Sequence, residues 1–270
     1  MEFMDIKKVP DILLKIVETK KKEIAELSVK QSDLKMQALD SAPALDFKAA
    51  LSKSGLSVIA EIKRASPSAG IIADDFNPEK IAAAYSNGKA DAASVLTDVQ
   101  YFKGRPEYIP AVRQVLKGIP ILRKDFIIHA SQIYEARALG ADSFLLISAI
   151  LTLNEMQDFI GIGRELGMEP LVESHTETEL DKSIDAGSEI FGINNRDLHT
   201  FTMDLATSEN LFLRIPQNAL KVSESGICSP QDAHRMRKAG FDAILAGESL
   251  MRSGPEKCAE TIASFKKETL

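Results

Sequence analysis

A lysine two residues after a glutamate, at the end of an apolar run, can place acid and base groups together, and VIAEIKRASPSAG, Val58 to Gly70, has this pattern. Its apolar start and Ser-Pro-Ser-Ala-Gly end describe a buried strand that opens into a loop. Side chains alternate along a strand, so Glu61 and Lys63 share one face and Ile62 takes the other. If that face is the inside of a closed sheet, a carboxylate and an ammonium stand at its mouth. The plainer reading is a structural ion pair at a strand end, because a charge is costly to bury without a partner.

Other polar groups fall at the same relative place. Thr97-Asp98, Arg123-Lys124-Asp125, Glu173 with His175 beyond it, Asn194-Asn195-Arg196-Asp197 and Ser223-Glu224-Ser225-Gly226 each follow an apolar run. The apolar runs are Val58–Ile62, Ala92–Leu96, Pro120–Leu122, Ser143–Ile147, Glu169–Val172, Ile190–Ile193, Ala219–Val222 and Ala243–Leu245. They recur every two to three dozen residues, with helical patterns between most of them, and eight such units close naturally into a (β/α)8 TIM barrel. A doubly wound open sheet is the alternative. Gly140, Gly187 and Gly240 each stand where a helix must stop before the next strand. In a barrel of this kind the site lies at the carboxyl ends of the strands, which is where the polar groups collect.

Two glycine-bearing ends suggest an anion. Glu224-Ser225-Gly226-Ile227 follows the seventh run, and Ala246-Gly247-Glu248-Ser249 follows the eighth and opens a helix. Glycine allows close approach to the backbone, a helix start offers free N–H groups, and these two loops are the usual phosphate site of the fold. A phosphate ester is the expected ligand. Phe102 and Phe126, beyond the second and third runs, are either core or the wall of an apolar pocket. Gly161-Ile162-Gly163 lies within a helical segment and is no dinucleotide fingerprint, and His129, His199 and His234 read as structural or exposed.

Before the repeats, Ile12, Leu13, Ile16, Val17, Ile24 and Leu27 recur near helical spacing, with Asp11 after Pro10 as the expected N-cap. A second helical segment is expected over Leu45–Ser52. The chain is therefore divided into an N-terminal helical extension, residues 1–52, and a barrel, residues 53–270, within one domain. The extension either covers one end of the barrel or helps to close the ligand site.

Composition narrows the classes. The chain has 270 residues, 44% hydrophobic and 27% charged, with a net charge of −6, which disfavours a nucleic-acid surface. Its two cysteines, Cys228 and Cys258, have no metal-ligand spacing and fit a reducing cytoplasm. The N-terminal residues lack an export-signal pattern and no stretch approaches a membrane span, so a soluble cytoplasmic protein is expected.

The stretches AEIKRASPSAG, SVLTD, ILRKDFI, LVESHTETEL, GINNRDL, SESGI and LAGESLM, in that order, closely resemble the indole-3-glycerol-phosphate synthase family, over essentially the whole chain. The resemblance implies a lyase of tryptophan biosynthesis that converts 1-(2-carboxyphenylamino)-1-deoxyribulose 5-phosphate to indole-3-glycerol phosphate, carbon dioxide and water. It implies no organic cofactor and no metal, a phosphorylated small molecule as the partner, and a monomer or weak homo-oligomer. By matching positions, Glu61, Lys63, Lys124 and Glu173 would be catalytic, with Asn194 and Ser225 in support. Ser66, Arg196 and Glu224 would contact or order substrate, Lys63, Gly226, Gly247 and the Glu248 backbone would hold phosphate, and Phe102, Phe126 and Leu145 would face the aromatic ring. Ser174 and Lys103 depart from the family pattern, in which an apolar and a small residue are expected.

Overall fold

The computed structural model describes residues 9–267, so the first eight residues of the extension and the last three of the chain lie outside the described residues. Three helices come first: α1 (Asp11–Val29), α2 (Gln31–Asp40) and α3 (Phe47–Leu51). Strand β1 (Ser57–Ile62) follows, then a short antiparallel hairpin of β2 (Ala65–Ser66) and β3 (Gly70–Ile71) inside the segment expected to be a loop. The alternation then runs α4 (Pro78–Asn87), β4 (Ala92–Leu96), α5 (Tyr108–Val115), β5 (Ile121–Lys124), α6 (Ala130–Ala138), β6 (Ser143–Ile147), α7 (Leu153–Glu165) and β7 (Leu171–Ser174). It ends with α8 (Glu177–Asp185), β8 (Ile190–Asn194), α9 (Ala206–Phe212), β9 (Leu220–Glu224), α10 (Pro230–Ala239), β10 (Ala243–Ala246), α11 (Glu248–Ser253) and α12 (Pro255–Lys266).

Eight of these strands pair in parallel around a closed barrel in the order β1-β10-β9-β8-β7-β6-β5-β4, and β4 returns to β1 with Ile59 opposite Ala92. The eight apolar runs expected from the sequence are these eight strands. The fifth begins two residues later than expected, at Leu171, because Glu169 pairs with Arg164 outside the sheet, and it continues through Glu173 and Ser174. Alternation sorts the strand residues into two cores. Ile59, Leu122, Leu145, Leu171, Leu220 and Leu245 fall in one buried cluster, while Val58, Ile62, Val95, Ile121, Ile193 and Ile244 join the helices in another. Gly140, Gly187 and Gly240 end their helices at φ of 96°, 80° and 103°, the left-handed region that glycine adopts without cost.

The extension spans the barrel from rim to floor. Helix α3 lies beneath the strand starts: Ser57 Oγ donates to the Leu51 carbonyl, and Asp142 accepts from the N–H groups of Leu45 and of Ile121, the first residue of β5. Helix α2, which the sequence pattern did not reveal, packs along α6 and buries only Ala38. Asp11 is not the N-cap of α1; Pro10 takes that place without a side-chain bond, and Asp11 is already helical. The expected segment Leu45–Ser52 forms a shorter helix, Phe47–Leu51, because Asp46 caps it by accepting from the Ala49 N–H.

Helix α1 is fastened to the opposite, carboxyl end of the strands. Lys20 is 2% exposed, and its Nζ lies 3.0 Å from both Asp98 Oδ2 and Asp125 Oδ1, residues just beyond β4 and β5. Burial works to neutralise Lys20, but the two carboxylates outweigh it and its pKa rises. Burial likewise works to raise Asp125, yet Arg123 and Lys20 pull it down to about 2. A carboxyl depressed in the fold contributes stability above its ordinary value of 3.8, and that contribution is lost as pH falls toward about 2. Replacing Lys20 with Met leaves two buried carboxylates short of a counter-charge, so Lys20→Met should lower unfolding free energy by on the order of 3 kcal/mol at neutral pH. Chemical denaturation should also show a smaller loss in the variant than in the parent between about pH 4 and 2.

Candidate active site

The carboxyl ends of the strands surround a cavity of about 480 Å³. Glu61, Lys63, Ser66, Phe102, Lys124, Phe126, Leu145, Glu173, Asn194, Arg196, Glu224, Ser225, Gly226, Gly247 and Glu248, the site positions that the family resemblance implies, line it, whereas Thr97, Asp98, Arg123, His175, Asn195 and Asp197 from the same strand ends do not. The lining positions come from all eight barrel strands and the loops that follow them.

Lys124 is the hinge of the charged floor. As the last residue of β5 it points inward, while its neighbour Arg123 turns outward to Glu135 of α6. Lys124 Nζ donates to Glu173 Oε2 and to Glu224 Oε2, each at 3.1 Å. The second oxygen of Glu173 accepts from Asn194 Nδ2 at 3.0 Å. Across the floor, Lys63 donates to Glu61 Oε1 at 2.5 Å. His175 steadies the end of β8: its Nδ1 lies 2.6 Å from the Asn194 carbonyl, which can only accept, so that nitrogen carries the proton.

The electrostatics follow from this crowding. Burial would drive the proton off Lys124, but Glu173, Glu224 and Glu61 reverse that effect and hold it firmly as a cation. Burial would raise Glu61, yet Lys63 and Lys124 hold it below the usual carboxylate range. Glu224 goes the other way. Burial dominates, the neighbouring Glu173 adds to it, and Lys124 only partly offsets them, so the carboxyl is pushed up to about 7.

One wall of the cavity is apolar. Phe102 and Phe126 stand with ring centroids 5.8 Å apart, and Ile12, Leu13 and Ile16 of α1 complete that side. Asp98 Oδ1 accepts from the N–H groups of Tyr101 and Phe102, so the carboxylate that grips Lys20 also sets the Phe102 loop. The contribution of α1 was open in the sequence and is a direct one. Phe201 and Met203, in the loop after β8, also line the cavity and carried no signal in the sequence beyond being apolar residues in a polar loop.

The opposite side is polar. Ser225 and Gly226 have successive φ values of 66° and 79°, a tight turn that Asn195 pins by donating from Nδ2 to the carbonyls of Glu224 and Ser225. Gly247 caps α11 without a side-chain bond, and Glu248, whose carboxylate accepts from Arg252, lines the cavity beside it. Arg196 donates to Ser68 Oγ at 2.9 Å and lies 3.8 Å from Glu248. Neither departure from the family pattern touches the floor: Ser174 Oγ pairs with Ser183 at 2.9 Å, and Lys103 reaches the Gln100 carbonyl in an exposed loop. His129 caps α6.

A closed parallel barrel with acid–base groups and an apolar wall at its carboxyl end defines a (β/α)8-barrel enzyme. A family model described as indole-3-glycerol phosphate synthase matches residues 13–262. Curated relatives named indole-3-glycerol phosphate synthase include one from Chlorobaculum tepidum, 47% identical over 245 residues, 89% of this chain and 95% of the relative. Another, from Thermoanaerobacter pseudethanolicus, is 44% identical over 258 residues, 95% of this chain and 98% of the relative. The chain belongs to the indole-3-glycerol phosphate synthase family, carboxy-lyases of tryptophan biosynthesis. More distant solved structures share the barrel alone. A 3-hexulose-6-phosphate synthase from Salmonella typhimurium is 12% identical with a TM-score of 0.61, covering 78% of this chain and all of that one. A thiamine phosphate pyrophosphorylase from Pyrococcus furiosus is 14% identical with a TM-score of 0.59, covering 78% and 93%.

Glu224 titrating near 7 has a kinetic consequence. Below about pH 6 the parent already carries the proton that a Gln mimics, and above about pH 8 it does not. A Glu224→Gln variant should therefore differ least from the parent at the acid end of a kcat–pH profile and most at the alkaline end. A constant ratio across that range would contradict the shift.

Proposed function

We propose that the cavity binds 1-(2-carboxyphenylamino)-1-deoxyribulose 5-phosphate and closes it to indole-3-glycerol phosphate with the charged floor as the acid–base machinery. The observation that carries this reading is Lys124 held between two carboxylates beneath an apolar wall on one side and a glycine-bearing polar turn on the other. Such a cavity suits a ligand with an aromatic end and a phosphate end. Phe102, Phe126 and Leu145 would take the ring, Ser66, Arg196 and Glu224 would order the chain between, and Lys63, Gly226, Gly247 and the Glu248 backbone would hold the phosphate.

Ring closure begins when the aromatic carbon that bears the carboxylate attacks the ketone carbon, and the carbonyl electron pair moves to oxygen. Lys124 meets that oxygen. A lysine stabilised as a cation is a weak acid toward water, but an alkoxide is basic enough to take its proton, and in a dry site the ammonium stabilises the negative charge as it forms. Loss of carbon dioxide returns the carbon–carboxyl bonding pair to the ring. The new hydroxyl must then leave as water while a carbon-bound proton departs, which needs an acid and a base together. Glu173 and the Glu61–Lys63 pair are assigned to this step, with Asn194 and Ser225 in support.

A monomer or weak homo-oligomer is proposed as the working unit. Among the described residues no helix is long and apolar enough to cross a membrane, and both cysteines are free, which supports residence in a reducing cytoplasm.

Incubation with the anilino-deoxyribulose phosphate, without added metal, should produce indole absorbance and release carbon dioxide. Lys124→Ala should lower kcat by at least about 100-fold, the lower end of the range for general acid catalysis. Glu61→Gln and Glu173→Gln should reduce kcat far more than they raise KM. Near-normal turnover by Lys124→Ala would remove lysine from the acid role.

A further inference from the structure

Gly192 lies on β8 two residues before Asn194 and shares its inward face. Its φ is outside the left-handed region, so the backbone does not call for glycine, and a glycine within a strand forfeits packing. The reason lies in what occupies the space. A Cβ at position 192 would stand 2.0 Å from Glu224 Oε1, 3.2 Å from Glu224 Cδ and 3.2 Å from Leu171 Cδ1. Glu224 Oε1 is buried and has no hydrogen-bond partner, while Oε2 accepts from Lys124. A carboxylate oxygen laid bare against a strand needs a cause.

We propose that Gly192 is a positioning residue: its missing side chain is the recess into which the Glu224 carboxylate settles, and this sets Oε2 against Lys124 beside Glu173. The same device recurs just after β10, where a Cβ at Gly247 would stand 2.2 Å from Glu61 Oε1. Two glycines on the barrel wall thus fix how deep two carboxylates sit in the floor. Gly247 has a second proposed task at the phosphate, so Gly192 gives the cleaner test. With a methyl group at 192, Glu224 must swing out of the recess and Lys124 loses one of its two carboxylate partners. The phosphate and ring ends of the cavity are untouched and only the Glu224 contact to the substrate chain is disturbed, so KM should change far less than kcat.

The proposal rests on Glu224 belonging to the reacting cluster, which Glu224→Asp and Glu224→Gln alone examine: parental turnover in both would end that premise without reference to the glycine. The glycine is examined by a cycle of parent, Gly192→Ala, Glu224→Asp and the double variant, with kcat and KM read from indole formation and folding from thermal unfolding. In the parent background Gly192→Ala should lower kcat by roughly 30-fold with KM changed less than about threefold. In the Glu224→Asp background, where the carboxylate is one methylene shorter, the same substitution should cost less than about threefold, a coupling expected of groups in contact. Equal costs in the two backgrounds, or parental kcat in Gly192→Ala, would overturn the proposal. If Gly192→Ala does not fold, Glu224→Asp must restore folding, since the obstruction is the Glu224 carboxylate; a double variant that stays unfolded would overturn it equally.

Discussion

Everything at the mouth of this barrel turns on the imbalance of charge around Lys124. Two ammonium groups, Lys63 and Lys124, meet three carboxyls, Glu61, Glu173 and Glu224, in a space largely closed to water. Full ionisation leaves one negative charge in excess, and like charges in a low-dielectric site resist it. The most enclosed carboxyl, Glu224, yields: its pKa moves up to about 7, while Glu61 is kept low by its direct pairing with Lys63. One cluster therefore contains a lysine stabilised as a cation, a carboxylate stabilised as an anion and a carboxyl that exchanges its proton near neutrality. Such separated affinities are what successive acid and base steps require.

The fold makes that imbalance possible. A parallel barrel brings strand ends from distant parts of the sequence to one rim, and alternation sends Lys124 inward while Arg123 goes out to the helices. The N-terminal extension then works at both ends. Helix α3 lies beneath the strand starts, at the end away from the charged cluster, and α1, anchored through Lys20 on Asp98 and Asp125, supplies Ile12, Leu13 and Ile16 to the apolar wall. One lysine outside the repeats ties the extension to the same loop ends that carry Phe102 and Phe126.

The eight strands and the inward-facing charges were legible in the sequence because both follow from local patterns: short apolar runs, and polar groups at their carboxyl ends. Long-range pairings were not. Lys20 has the sequence context of a solvated helix lysine in ETKKKEI, and only the fold shows two carboxylates closing on it. Asn195 stood in a polar run beside Asn194, with nothing in the sequence to say that it would reach across to β9. Helix α2 has a weak apolar stripe and escaped detection, and Asp11 took a helical position because the Pro10 carbonyl already accepts the first helical bond, from the Leu14 N–H. Gly192 within GINNRDL gave no sign of its purpose, since the reason for a missing side chain is another residue's carboxylate.

The most direct measurement of this account is the titration of the Lys124 ammonium itself, followed by nitrogen NMR in lysine-labelled protein and assigned by comparison with a Lys124→Arg variant. Carboxylates gathered on both sides should keep it protonated well beyond the ordinary lysine value of 10.5. A Lys124 that loses its proton at or below that value would mean that burial prevails over its neighbours, and the charge arrangement described for the floor would be wrong.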